Sequence, residues 1–528
     1  MSTANGFDAI VVGSGLGGLT AAALLSQAGL RVLVLERADR FGGAATTYTH
    51  GGLTIEASLH EMSGSGPEGA TTEILRALGV LDDVPLVPVG DFYEVRSPLL
   101  DGPFVMPHGL DAARDACLRR FPARADRLRE YFRLLLATSR AVETTQGEHT
   151  AGWWLTHAPV LPWRMWPLLR HMHAVLADVF DRLFGEDEGI KLALSGNIAY
   201  YTDDPGAIWF VWWAMAQAGY LAGGGHYVRG GSQVLSDRLA EAVVDAGGAC
   251  EASRTVTRIL VDDDGRVAGV EHVATADGDA AAARQDLAPL VLGNASPHAL
   301  AEMLPPERRA GFMARYAGLR VSGSVAVVSL GFDRPPSDFG VRRFTTAVFP
   351  DWLARLGQLP DSTRLLGAAP AARTPYYLFT DYSQLAAGPG APGMTLAQVS
   401  MPDRIDNWEG LDGPAYDDRR RRWIEHLLGA LDREYPGIAG AVVHREMATA
   451  RTMRDHLGTP GGAILGFAPV PPSGHAVRPN VETSVEGLLL ASAFTFSGGF
   501  EGAIGGGALA ARHVLAHRRE QLAAAGGR

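Results

Sequence analysis

Three glycines, Gly13, Gly15 and Gly18, constrain this chain more than any other feature. They follow an apolar run, residues 8–12 (DAIVV), and precede residues 19–28 (LTAAALLSQA). The run reads as a buried parallel strand, and the second segment as a helix ended by Gly29. Residues 31–36 (RVLVLE) read as the next strand, so a βαβ unit closes within about 30 residues. In that setting each glycine has a task. Gly13 permits a tight turn, Gly15 lets backbone approach a diphosphate, and Gly18 lets helix and strand pack closely. The helix that starts there presents the positive end of its dipole to the phosphates. Glu36 ends the second strand with a carboxylate suited to ribose hydroxyls. The motif alone is weak evidence. A strand before it, a helix after it and an acid at the end of the next strand make it specific for a dinucleotide.

Composition narrows the partners. With 528 residues and 47% hydrophobic content, the chain can bury a large core in two or three domains. A net charge of −11 argues against a nucleic-acid partner, which would need a basic face. Cys117 and Cys250 form neither a CxxC nor a metal-type spacing, so no disulfide scaffold and no metal are expected. Scarce cysteine suits a cytoplasmic setting. The first apolar run, Ala9 to Val12, is too short for a secretory signal and lacks a basic segment before it. No stretch of about 18 uncharged apolar residues is present. A soluble or peripheral protein is therefore expected.

The rest of the chain alternates strand and helix patterns. Residues 41–66, rich in Gly, Thr and Ser, are expected to be loop or extended chain, and residues 91–108 strands. Residues 110–145, 232–247 and 415–433 read as helices. Residues 255–273 read as a β-hairpin around Asp264-Gly265. Residues 289–294, 321–330, 394–401 and 487–492 read as strands, followed by a helix from Gly505 to Gln521 and a loose tail. Seven of the ten tryptophans (Trp153, Trp154, Trp163, Trp166, Trp209, Trp212 and Trp213) crowd into residues 150–225. Two readings of that segment stand. It is either the aromatic core of a helical substrate domain or an interfacial amphipathic surface facing a membrane.

Past Glu36, Arg37 and the sequence Arg40-Phe41-Gly42-Gly43 suit an extended dinucleotide, a feature of flavoproteins of the glutathione-reductase and amine-oxidase type. The chain resembles, more narrowly, the phytoene desaturase, carotenoid isomerase and retinol saturase family of FAD proteins. The N-terminal block (VVGSGLGGLTAAALLSQAGLRVLVLERADRFGG), IEASLHEM at 55–62, residues 224–248, residues 255–270 and residues 485–515 carry the likeness. It is thin across 110–220 and 300–450. The resemblance implies an α/β fold: a Rossmann-type, glutathione-reductase-like FAD domain, a discontinuous α+β substrate domain and a helical, Trp-rich subdomain. The FAD domain would take residues 1–95, 225–300 and 455–528. The substrate domain would take 96–224 and 301–454, with 150–222 helical.

The resemblance also implies the site. FAD would be bound by Gly13, Gly15, Leu16, Gly17, Gly18, Glu36, Arg37, Gly42, Gly43, Ala44, the backbone of Val256, Ser492, Gly502, Ala503 and Ile504. Ser58 and Ser492 stand where the family has glycine, so each hydroxyl would crowd the flavin or bond to it. His60, Glu61 and Glu501 flank the flavin segments and are the candidate acid/base groups. Tyr200, Tyr201 and His226 are secondary candidates, and the Trp209–Tyr220 stretch a candidate apolar wall. No second G-x-G-x-x-G follows a strand, so no nicotinamide domain is expected. Electrons would pass to or from a transient partner, whether quinone, oxygen or a reduced carrier. The expected activity is redox chemistry on carbon–carbon double bonds of an apolar polyene or isoprenoid, by desaturation, saturation or cis–trans isomerisation. Two alternatives are an amine oxidase-like enzyme and a flavin-bearing, non-catalytic component of a biosynthetic complex.

Overall fold

The computed structural model describes residues 6–146, 153, 156–276, 283–386, 388–472, 480–495 and 497–526. Strand β1 (Ala9–Val12), helix α1 (Leu16–Gln27) and strand β2 (Val32–Leu35) form the βαβ unit. β1 and β2 run parallel, with Ala9 opposite Val32 and Val12 opposite Leu35. Every residue of both strands is buried, as in a strand covered on two faces. Their side chains alternate between two cores. Ala9, Val11, Val32 and Val34 pack under helices, including α1 and the C-terminal helix. Ile10, Val12, Leu33 and Leu35 pack against a separate small sheet. α1 starts at Leu16, earlier than the expected Leu19, because Gly15 already serves as its extended N-cap.

Distant segments complete the sheet. Its order is Leu488–Leu490, Val291–Gly293, β1, β2, Ala249–Glu251, parallel throughout. The chain leaves this sheet after β2 and again after Gly293. The expected hairpin is present: Arg254–Val261 pairs antiparallel with Val267–Ala274, and Arg284–Leu287 adds a third strand. The C-terminal helix runs Gly499–Gly526. It starts earlier than Gly505, and residues 522–526 are helical where a loose tail was expected.

A mixed sheet forms the second layer system. Its order is Val442–Ala448, Ser324–Phe332, Met394–Asp403, Tyr377–Asp381, Thr345–Val348, Tyr93–Arg96, Phe104–Met106. The Gly413–Glu434 helix lays Trp423, Leu427 and Leu431 on it. Residues 41–66 are not all loop. Strands β3 (Thr47–His50) and β4 (Leu53–Glu56) form a hairpin. Its turn is Gly51-Gly52, both with positive φ (55° and 80°), a standard two-residue hairpin signal. The Gly- and Thr-rich composition masked it.

The tryptophans of the rich segment divide between buried and exposed positions. Trp213, on the Phe210–Gly223 helix, is fully buried among aromatic side chains. Trp163 and Trp166, on the Leu161–His171 helix, are 83% and 58% exposed. Trp154 lies outside the described residues. Among the described residues no helix is long and apolar enough to cross a membrane.

Candidate active site

The loops after β1 and β2 lie side by side. Gly13 N–H donates to Leu35 O at 2.9 Å, Gly42 N–H to Ser14 O at 3.0 Å, and Gly15 forms a parallel bridge with Gly42. Glu36 faces this junction. Its Oε2 accepts from Ser14 N–H (2.8 Å) and Ser14 Oγ–H (2.7 Å), and its Oε1 from Ala38 N–H (2.9 Å). A carboxylate offers about four acceptor positions, so room remains for a ribose hydroxyl. Asn294 closes another side, its amide donating to Gly13 O at 3.3 Å. The C-terminal block closes the next. A Cβ on Gly17 would overlap Ala491 O and sit 3.0 Å from Ala503 O; one on Gly15 would sit 2.6 Å from Asn294 Nδ2. The two loops, the C-terminal block and the Asn294 amide thus close on one junction where glycines are required, and this fits a bound dinucleotide.

The other expected cofactor residues gather around it. Leu16 and Gly18 belong to the first turn of α1. Gly43 lies against Gly15, where a Cβ would be 3.3 Å from its Cα. Val256 is buried on a strand whose Arg254 N–H donates to Glu36 O at 2.7 Å. Gly502, Ala503 and Ile504 lie in the first turns of the C-terminal helix. Arg37 is aimed elsewhere: its guanidinium donates to the carbonyls of Asp455 (3.5 Å) and His456, where the Ala450–Leu457 helix ends. Both serine hydroxyls are held internally. Ser58 Oγ–H donates to Ala44 O at 2.7 Å, and Ser492 Oγ accepts from Phe494 N–H at 3.3 Å. Ser14 and Asn294 were not anticipated. Ser14 sits inside the glycine motif, and Asn294 follows a strand whose neighbours only the fold reveals.

A second cluster holds the acid/base candidates. Glu61 is buried. Tyr200 O–H donates to its Oε1 at 3.2 Å, and its Oε2 lies 3.4 Å from His108 Nε2 with no other partner. His108 was not anticipated. Its Nδ1 faces the carbonyl of Tyr220 at 3.1 Å, so that nitrogen carries hydrogen. Its Nε2 accepts from Gly225 N–H at 3.2 Å, so that nitrogen carries a lone pair. These contacts fix the tautomer: Nδ1–H donates and Nε2 accepts. Burial pushes the Glu61 carboxyl up, more than His108 and Tyr200 pull it down.

The remaining candidates surround this pair. His60 Nε2 pairs with Ser400 Oγ at 3.1 Å, and its ring lies 5.9 Å from that of Tyr200. Burial lowers its pKa to about 4, partly offset by Gln398, so His60 is neutral at physiological pH. Glu501 accepts from the Ser63 hydroxyl, two residues beyond Glu61. Tyr220 O–H donates to Glu61 O at 3.4 Å, which brings the expected wall helix into the cluster. Tyr201 instead accepts from Asn197 at 3.2 Å and packs edge-on to Trp212 and Trp213. His226 is a fastener. Its Nδ1 donates to Ser65 Oγ at 2.9 Å, since the Ser65 hydrogen is committed to Met62 O, and its backbone bridges Met62. Further along the wall, Trp212, Phe467 and Phe494 line a cavity of about 120 Å³ beside Ser497 and Gly498, at the entry to the C-terminal helix.

Comparison with known proteins follows the same lines. The flavin containing amine oxidoreductase family matches residues 16–515. An all-trans-retinol 13,14-reductase of Macaca fascicularis is 30% identical over 274 residues, 50% of this chain and 44% of that protein. The chain therefore spans less than half the length of that relative. The neurosporene-forming phytoene desaturase of Rhodobacter capsulatus is 26% identical over 533 residues, covering 96% of this chain and 93% of that one. An oxidoreductase of Methanosarcina mazei shares the fold, with TM-score 0.61, 17% identity, and 96% and 99% of the two chains covered.

Proposed function

The chain belongs to the flavin containing amine oxidoreductase family, and from that premise we propose that it is an FAD-dependent oxidoreductase acting on carbon–carbon double bonds of an apolar polyene or isoprenoid. One observation carries the reading: Glu61, a buried carboxyl whose pKa burial raises, accepts from Tyr200, its backbone carbonyl accepts from Tyr220, and, two residues on, Ser63 reaches Glu501 of the C-terminal block. Such a group suits proton transfer to or from an apolar carbon skeleton that brings no polar group of its own. The likeness to a phytoene desaturase along nearly the whole chain, and to a retinol reductase along half of it, supports the same substrate class.

In this reading Gly13 to Gly18 and Asn294 hold the diphosphate. Glu36 takes the ribose, and Ser492 and Gly502 to Ile504 border the ring. When bound, FAD accepts or donates a hydride. Glu61 supplies or accepts the accompanying proton. Tyr200 fixes the carboxyl through its hydrogen bond, and His108 packs against the other oxygen. His60, being neutral, acts through its hydrogen bond to Ser400 and not as a standing acid. Glu501, held by Ser63, places a carboxylate at the first turn of the C-terminal helix.

Anaerobic spectroscopy tests the proposal. Dithionite-reduced enzyme mixed with a retinoid or a linear carotenoid should show loss of polyene absorbance together with return of the oxidised flavin bands. Oxidised enzyme that is bleached by simple amines while no polyene alters either flavin state would overturn the proposal in favour of an amine oxidase. Quinone, oxygen and reduced-carrier addition afterwards would identify the electron partner.

Membrane contact belongs to the same reading. Trp163, Trp166 and Leu169 stand exposed on one short helix that also carries Arg164 and Arg170, the composition of an interfacial helix that meets anionic lipid. Wild-type protein should float with anionic liposomes, and Trp163→Ser with Trp166→Ser should weaken that about tenfold or more. The estimate follows from about 1.5–3 kcal/mol for burying one large apolar side chain. Recovery of all wild-type protein in the soluble fraction would remove the membrane from the reading.

A further inference from the structure

Apart from the residues assigned to the flavin, three nitrogen and oxygen donors converge at the edge of the mixed sheet. His444 and Glu446 are two residues apart on the Val442–Ala448 strand, so they share one face. His50 ends β3 and brings its Nδ1 onto Glu446 Oε2, across 396 residues of chain. His444 Nε2 lies 3.7 Å from that carboxylate. All three donor atoms fall within 4.8 Å of one another, and among the described residues no other group of three His, Cys, Asp or Glu does so. Two features point beyond an ordinary His–Glu ion pair. His444 Nε2 is buried and has no hydrogen-bond partner, a costly state for a ring nitrogen. Tyr48 O–H donates to the far oxygen, Oε1 of Glu446, and so leaves Oε2 turned toward both imidazoles. A ligand carboxylate steadied by an outer hydrogen bond is the usual supporting arrangement in metal sites.

We propose that His50, His444 and Glu446 form a binding site for a first-row divalent metal ion, best suited to Zn²⁺. Two imidazoles and one carboxylate favour zinc and its neighbours over Mg²⁺ or Ca²⁺, which prefer all-oxygen shells. The metal–nitrogen distance of about 2.0–2.1 Å requires a small inward rotation. His50, with 63% of its side chain exposed, is free to make it. The remaining positions open onto a pocket of about 450 Å³ lined by Thr452, Arg420 and Arg451, so water or a small anion would complete the shell. The ion would clip β3 to the edge of the mixed sheet. β3 pairs with β4, the strand that leads directly to His60 and Glu61.

Isothermal titration of tag-free, metal-stripped full-length protein with ZnCl₂ tests this, with CoCl₂ absorbance as a reporter of the ligand field. The expected result is one ion per chain and a thermal midpoint that climbs with the logarithm of zinc concentration. His444→Ala and Glu446→Gln should each weaken binding by about tenfold or more and move the thermal shift to correspondingly higher zinc. His50→Ala, at an exposed position where folding is not at risk, should do the same, while His513→Ala should behave as wild type. Binding that fails to reach one ion per chain, or that persists unchanged in His50→Ala and His444→Ala, would overturn the proposal.

Discussion

Glu61→Gln is expected to cut proton-coupled turnover by about 10²–10⁴-fold, the usual weight of one positioned acid or base, while FAD stays bound. Gln keeps the size and neutral charge of the protonated acid. Its carbonyl accepts from Tyr200, but it has no proton to transfer. Stability should move the other way. Burial raises the Glu61 carboxyl, so the native state binds this proton more tightly than the unfolded chain does. That contribution is full below the ordinary carboxyl range, about pH 4.3, and is lost as pH rises toward the raised native value. Gln cannot ionise, so the variant should equal or exceed the wild type in thermal midpoint at pH 8 and lose the alkaline decline. His60 acts in the opposite sense. With its pKa lowered to about 4, its contribution is present above about pH 6.5 and fades as pH falls through 4. Single-turnover kinetics and midpoints measured from pH 4 to 9 separate the two groups. Wild-type turnover in Glu61→Gln would remove Glu61 from the chemistry. A variant that is slow and also unstable at every pH would make Glu61 a packing residue.

How much was legible in sequence depended on how local the cause was. The βαβ unit, its glycines and Glu36 lie within the first 36 residues, and each obeys a rule that short-range sterics enforce. The hairpin at Asp264-Gly265 obeyed such a rule as well. The Gly51-Gly52 hairpin obeyed one too, but the threonines around it lacked the apolar alternation that makes a strand visible. His108 carries no spacing signal. Its importance comes from the Tyr220 carbonyl and Gly225 amide, which fix its tautomer only after that distant segment meets it. Asn294, and the set of His50, His444 and Glu446, are products of strand order in the same way. The tryptophan-rich segment shows the limit of composition. Burial separates Trp213 from Trp163, and composition does not distinguish neighbours that face inward from those that face out.

Gly17→Ala is expected to lower stability by about 1–3 kcal/mol and to empty the protein of flavin, although the substitution favours helix by about 1 kcal/mol in isolation. The sign is decided by what surrounds the added methyl. A Cβ there would overlap Ala491 O and come within 3.0 Å of Ala503 O, while a Cβ on Gly507 would in turn overlap Gly17 O. These are backbone atoms. They cannot rotate away as a side chain would, so relief requires moving either the segment after the Leu488–Leu490 strand or the C-terminal helix. Those two segments carry Ser492 and Gly502 to Ile504, and α1 carries the diphosphate end of the cradle. Forcing them apart therefore breaks the cofactor site and the core in one step. Gly311→Ala supplies the control. It lies inside the Pro306–Ala314 helix with nothing within 4 Å of the added Cβ, and it should gain about 0.5–1 kcal/mol. Urea unfolding and flavin content measured on both variants give the answer. A Gly17→Ala protein that gains stability like Gly311→Ala and keeps its full flavin would mean that the N-terminal loop and the C-terminal block do not close on each other, and the FAD site would have to be rebuilt without that contact.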